Sequence, residues 1–136
     1  MNKILVADVP QMDARYAAAL GGCEIEFVRT LAQARQALGG ARHDLVVIGV
    51  YFDDSRMFDL MRVLRTDPRH AETPILCVRG RPGLAAVSTR TLEDSVKALG
   101  AREFIDLVSE EDGERILREA AGRLISSGSP TSGGTP

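Results

Sequence analysis

The run Leu45-Val46-Val47-Ile48-Gly49-Val50 constrains this chain more than any other segment. It is apolar at every position and mostly β-branched. Such a run suits a central parallel strand covered on both faces by helices. A strand of that kind needs parallel neighbours, and the rest of the chain supplies the pattern for them.

Residues 4–7 (Ile4-Leu5-Val6-Ala7) form a second compact apolar run, ending at Asp8. Residues 11–20 read as a helix with Met12, Tyr16 and Leu20 on one stripe, stopped by Gly21-Gly22. Residues 23–28 alternate Cys23, Ile25 and Phe27 with Glu24 and Glu26, which suits a half-exposed edge strand. Thr30 can cap a helix that runs to about Leu38, where Gly39-Gly40 ends it. Met57, Leu60, Met61 and Leu64 lie at helical spacing, and Pro68 follows.

Pro74 introduces a strand over 75–78, followed by the loop Arg79-Gly80-Arg81-Pro82-Gly83. A helix over 91–99 is closed by Gly100, and a fifth strand spans 102–107. Ser109, with Asp112 three residues on, can cap a last helix that buries Ile116, Leu117, Ala120 and Leu124. Residues 126–136 are Ser, Gly, Pro and Thr with almost nothing to bury; a disordered tail or the stump of a linker is expected there.

Residues 1–125 therefore read as one domain. The chain of 136 residues is long enough for a real core; a domain near this size buries roughly two-thirds of its unfolded surface. Only 4% of residues are aromatic, so aliphatic side chains and alanine must fill that core. The net charge of -2 argues against a nucleic-acid surface. No apolar run approaches the ~20 residues of a membrane span. The start, Met1-Asn2-Lys3-Ile4, passes straight into a strand without a charged leader. Cys23 and Cys77 lie far apart in apolar runs, as reduced buried thiols do. A cytoplasmic location is the expectation.

Five strands alternating with five helices imply an α/β three-layer (βα)5 sandwich around a parallel five-stranded sheet. Right-handed crossovers favour the flavodoxin-like order 2-1-3-4-5. Sites in such sheets lie at the carboxyl ends of the strands. The positions there are Asp8, Gly49, Arg79 and Asp106.

The series Lys3-Ile4-Leu5-Val6-Ala7-Asp8, Asp44-Leu45-Val46-Val47-Ile48, Thr73-Pro74-Ile75-Leu76 and Gly100-Ala101-Arg102-Glu103-Phe104-Ile105 resembles the receiver domain of two-component response regulators, the CheY-like family. The resemblance covers residue 3 to about residue 125. It implies a site of two acids after the first strand and a phosphoacceptor aspartate after the third, together holding Mg²⁺. It also implies a Ser or Thr after the fourth strand and a Lys at the end of the fifth, to bind the phosphoryl oxygens.

Only Asp8 matches that set. Val9, Gly49, Arg79 and Leu107 stand at the other positions, and Val108 replaces the proline that usually follows. Without a carboxylate at Gly49 there is no acyl phosphate. The resemblance thus points to a degenerate pseudo-receiver, not an enzyme and with no metal or cofactor, acting through protein contact. Arg79 is expected to project toward the empty pocket and pair with Asp8.

Other expectations rest on neighbouring residues. Asp53, Asp54 and Asp106 could form an alternative acidic cluster with Asp8, as in a receiver with a rearranged phosphorylation site at Asp53 or Asp54. Arg79 and Arg81, with Gly80 and Gly83, could bind an anion, making the chain a small-ligand or anion sensor using the strand-end crevice. By resemblance the fourth helix, fifth strand and fifth helix form the partner or homodimer face, here drawing on Glu93, Lys97, Arg102, Glu103, Arg115 and Arg118. The partner implied is another signalling protein. His43 and His70 are read as structural or exposed, since neither belongs to a catalytic pairing.

Overall fold

The computed structural model describes residues 1–80, 88–108 and 111–128. Five strands form one sheet: β1 (Lys3–Ala7), β2 (Glu24–Val28), β3 (Leu45–Gly49), β4 (Ile75–Arg79) and β5 (Glu103–Asp106). Every pairing is parallel and the order is β2-β1-β3-β4-β5, the flavodoxin-like arrangement expected. Five helices alternate with them: α1 (Asp13–Ala19), α2 (Leu31–Gly40), α3 (Met57–Thr66), α4 (Thr89–Ala98) and α5 (Gly113–Gly128).

The period of two along each strand divides the core. Ile4, Val6, Leu45, Val47, Leu76, Val78 and Ile105 face one side, where Tyr16, Leu20, Leu117, Ala120 and Leu124 of the α1 and α5 region cover them. Leu5, Ala7, Val46, Ile48, Ile75 and Cys77 face the other, against Leu38, Leu60, Met61, Leu64 and Val96 of α2, α3 and α4. All five residues of β3 are buried, as its unbroken apolar run requires. β2 is the half-exposed edge.

Several helix ends differ from expectation, for local reasons. A 3₁₀ turn, Pro10–Met12, precedes α1, so the regular helix starts at Asp13. α2 runs through Gly40 because neither Gly39 nor Gly40 adopts the left-handed backbone that stops a helix. α4 starts at Thr89, ahead of the expected 91, because Ser88 takes the cap: its Oγ accepts the Thr91 N–H at 3.1 Å. Gly100 does close α4, with φ 105. In α5 the stripe Leu117, Ala120 and Leu124 is buried and Ile116 is half-buried, while the helix continues to Gly128, past the expected end at 125. Ser109, Arg81-Pro82-Gly83 and the tail beyond 128 lie outside the described residues.

One staple ties the amino end of the sheet together. Arg65 Nη1 donates to the carbonyls of His70, Ala71 and Thr73 at 2.9–3.2 Å, and Nη2 to that of Gly100 at 2.8 Å. Burial first, and then the neighbouring Arg102 charge, lower the Arg65 pKa. His43 and His70 are both buried; His43 Nε2 meets Glu26 Oε1 at 3.1 Å and His70 Nε2 donates to the Leu38 carbonyl at 3.0 Å. Among the described residues no helix is long and apolar enough to cross a membrane.

Candidate functional site

Parallel register determines which strand-end side chains meet. Ala7 pairs with Ile48, so Asp8 and Gly49 stand side by side one step further on. By alternation both belong to the α1 face. Arg79 pairs directly with Asp106, and both belong to the opposite, α4 face. The carboxyl end of the sheet therefore holds two separate polar arrangements.

The first is built on Asp8, whose surface is 3% exposed. Its Oδ2 accepts the Tyr16 hydroxyl at 2.6 Å, and its Oδ1 accepts the Val9 N–H at 2.7 Å. Arg29 Nη1 donates to the Asp8 carbonyl at 3.1 Å, while Nη2 pairs with Asp13 and the guanidinium lies 5.6 Å from the Phe27 ring centroid. The expected empty space beside Gly49 is filled. A Cβ at position 49 would meet Cγ and both oxygens of Asp8 closer than 3.0 Å. Gly80 is covered in the same way by the Met12 thioether. Burial, then the Asp8 charge, then the hydrogen bond to it hold the Tyr16 phenol well above the ordinary tyrosine pKa.

The second arrangement corrects the expected pairing of Arg79 with Asp8. Arg79 Nη2 donates to Asp106 Oδ2 at 2.7 Å and to Thr89 Oγ1 at 3.3 Å. Thr89 Oγ1 donates to the same Asp106 oxygen at 2.7 Å, and Val108 N–H donates to Oδ1 at 3.0 Å. The Arg79 and Asp106 side chains are only 16% and 14% exposed. Burial alone would raise the Asp106 pKa; the donors Arg79, Thr89 and Val108 outweigh it and hold the carboxyl below its usual range. The pleat, not distance along the chain, keeps Arg79 from Asp8: the two side chains leave opposite faces of the sheet.

The remaining positions offer little chemistry. Leu107 is buried in the core and its N–H bonds the Arg79 carbonyl at 2.8 Å. Val9 is half-buried against the same core, and Val108 is exposed. A hard divalent cation wants several oxygen ligands. Both Asp8 oxygens already accept hydrogen bonds, and Val9 and Gly49 have no side-chain oxygen to add. The residues present do not fit the ion that the family resemblance implies.

Nor do the acids gather. Asp53 Oδ2 accepts the Leu31 N–H at 2.8 Å, at the start of α2, whereas Asp54 is exposed and Asp106 faces Arg79. Asp53, Asp54 and Ser55 have φ of 45, 54 and 67, a left-handed stretch that holds the β3–α3 loop in that course. Among the described residues no group of three or more His, Cys, Asp or Glu is placed to hold a metal ion. A groove of about 930 Å³ opens at the amino ends of the strands, lined by residues such as Arg42, Asp44, Arg69 and His70, far along the strands from Asp8.

On the α4–β5–α5 surface the charges neutralise one another locally. Lys97 pairs with Glu93 at 2.8 Å, Arg115 with Glu119 at 3.2 Å, Arg118 with Glu114 at 3.5 Å, and Arg123 with Glu103 at 2.8 Å. Arg102 is exposed beside them. The sequence pattern missed Tyr16, Thr89 and Arg29 as site residues. Tyr16 was legible only as a stripe residue of its helix, though a buried tyrosine hydroxyl always calls for a partner.

The chain matches no protein-family model and no curated sequence. Solved structures do resemble it. The signal receiver domain of a signal transduction histidine kinase from Syntrophus aciditrophicus superposes with a TM-score of 0.74 at 23% identity, over 93% of this chain and 92% of that one. The chemotaxis response regulator CheY4 of Vibrio cholerae gives 0.71 at 23% identity, over 91% and 98%. NtrX from Brucella abortus gives 0.74 at 19% identity, over 93% of this chain and 28% of that longer one. Likeness at these identities establishes the fold alone: the flavodoxin-like, CheY-like fold that these receiver domains have.

Proposed function

We propose that this chain is a receiver-like signalling module that acts through protein–protein contact and does not take up a phosphoryl group. The observation that carries the reading is the Asp8 carboxylate lying where a side chain at position 49 would have to be. An acyl phosphate needs a carboxylate at that strand end, and here the space is taken by an acid whose two oxygens are engaged by Tyr16 and the Val9 N–H. Leu107 supplies no cation for phosphoryl oxygens, and Arg79 is turned to Asp106. What is left for signalling is surface. The α4–β5–α5 face, with paired charges that can exchange partners, is the side to which a signalling protein or second copy would dock.

The test is acetyl phosphate with Mg²⁺, followed by intact mass measurement. The expected result is an unchanged mass. A base-labile, acid-stable phosphoryl adduct would overturn the reading. Charge reversal at Arg115 and Arg118 then separates the surfaces: it is expected to weaken binding of the purified cognate partner without unfolding the domain.

A further inference from the structure

Arg79 is the last residue of β4 and Thr89 the first of α4, so together they bracket the connection between the two elements. Asp106, at the end of β5, is the register partner of Arg79. The other two side chains converge on Asp106 Oδ2, with Arg79 Nη2 and Thr89 Oγ1 each donating at 2.7 Å. The Val108 N–H on Oδ1 fixes the orientation of the carboxylate.

Among the described residues, the amino-terminal turn of α4 has little else to hold it. Thr89, Arg90 and Thr91 are exposed, and Leu92 and Glu93 are half-buried. The buried residue of this helix is Val96, two turns from its start. The Ser88 cap satisfies the Thr91 and Leu92 amides but joins the turn only to itself. An apolar anchor acts only where it is buried, so among the described residues the attachment of this turn to the sheet rests mainly on polar contacts.

We propose that Arg79, Asp106 and Thr89 form a latch that docks the first turn of α4 onto the ends of β4 and β5. While it is closed, the strand ends and the exposed side of α4 keep one relative arrangement. An event that draws Arg79 or Asp106 away frees the amino end of α4 and leaves its Val96 end in place. The latch stands on geometry alone and holds whether or not the chain accepts a phosphoryl group.

Amide hydrogen exchange on the full chain tests it. Thr89→Val removes the hydroxyl and keeps the shape; Thr89→Ser keeps the hydroxyl. The expected result for Thr89→Val is exchange about tenfold faster at Thr91 and Leu92, with β3 amides unchanged and Thr89→Ser close to the native protein. Arg79→Gln and Asp106→Asn are expected to give the same local pattern, and the double variant no more than either single one. Unchanged exchange at Thr91 and Leu92 in Thr89→Val overturns the latch. So does an increase shared equally with β3, since that reports global destabilisation instead of a released turn.

Discussion

The carboxylate of Asp8 occupies the space that a side chain on Gly49 would need. The two residues are neighbours on adjacent parallel strands, one step beyond the Ala7–Ile48 pair. Glycine at 49 is therefore part of how Asp8 is buried: its missing Cβ lets the acid lie across the strand end and reach Tyr16. Absence at one position and burial at the other are a single packing solution.

Gly49→Asp is accordingly expected to lose stability without gaining phosphorylation. The new side chain overlaps Asp8 and sets a second buried carboxylate beside the first; overpacking alone costs about 1–3 kcal/mol, and like charge adds to it. Urea unfolding measures the loss, and the intact mass after acetyl phosphate is expected to stay unchanged. Asp8→Gly combined with Gly49→Asp is expected to recover part of the stability.

Tyr16→Phe leaves the Asp8 carboxylate without its hydroxyl donor. A hydrogen bond to a charged group contributes about 1.5–3 kcal/mol, and chemical denaturation is expected to show a loss of that order. The raised Tyr16 pKa also has a sign. The folded state favours the neutral phenol, so its stability is full below the unfolded tyrosine value of about 10 and falls as pH rises beyond it. In an alkaline titration, phenolate absorbance from Tyr16 is expected to appear together with unfolding, and to be missing in the variant.

Asp106 acts at the other end of the pH range. Its carboxyl is held below the usual range, so the stability it adds is present above about pH 4 and is lost as pH falls toward the folded value. Thermal unfolding measured from pH 7 down to pH 3 is expected to show a steeper acid loss in the native chain than in Asp106→Asn. Parallel curves would count against it.

Arg65→Lys tests the staple at the amino end of the sheet. One ammonium cannot reproduce a planar fork that reaches four carbonyls. A loss of about 2–3 kcal/mol is expected, since the part-buried carbonyls of Ala71, Thr73 and Gly100 lose hydrogen bonds to a charged donor.

The two thiols should differ in reactivity. Burial pushes the Cys77 thiol up to about 12, and its side chain packs against Met61. Cys23 is half-buried. With a thiol reagent at pH 8, Cys23 is expected to react in the folded chain and Cys77 only on unfolding.

The architecture was legible because its signals are local. Leu45–Gly49 had to be a covered strand from its residues alone, and the stripes Met12-Tyr16-Leu20 and Leu117-Ala120-Leu124 state their buried faces directly. Once five strands alternate with five helices, the handedness of crossovers leaves few orders for the sheet. That position 49 carries no carboxylate is likewise a fact of the sequence.

What the sequence could not decide is which strand-end groups meet. That depends on parity across the sheet: a shift of one residue in register moves a side chain to the other face. Arg79 was expected to reach Asp8, and the Arg79–Asp106 pairing set it on the α4 side instead. Asp53 gave no local sign that it would bond the Leu31 amide, because the two sit 22 residues apart and meet only through the packed loops. Strands and helices follow from neighbours along the chain; the contents of the crevice follow from neighbours across it, and those exist only once the sheet has formed.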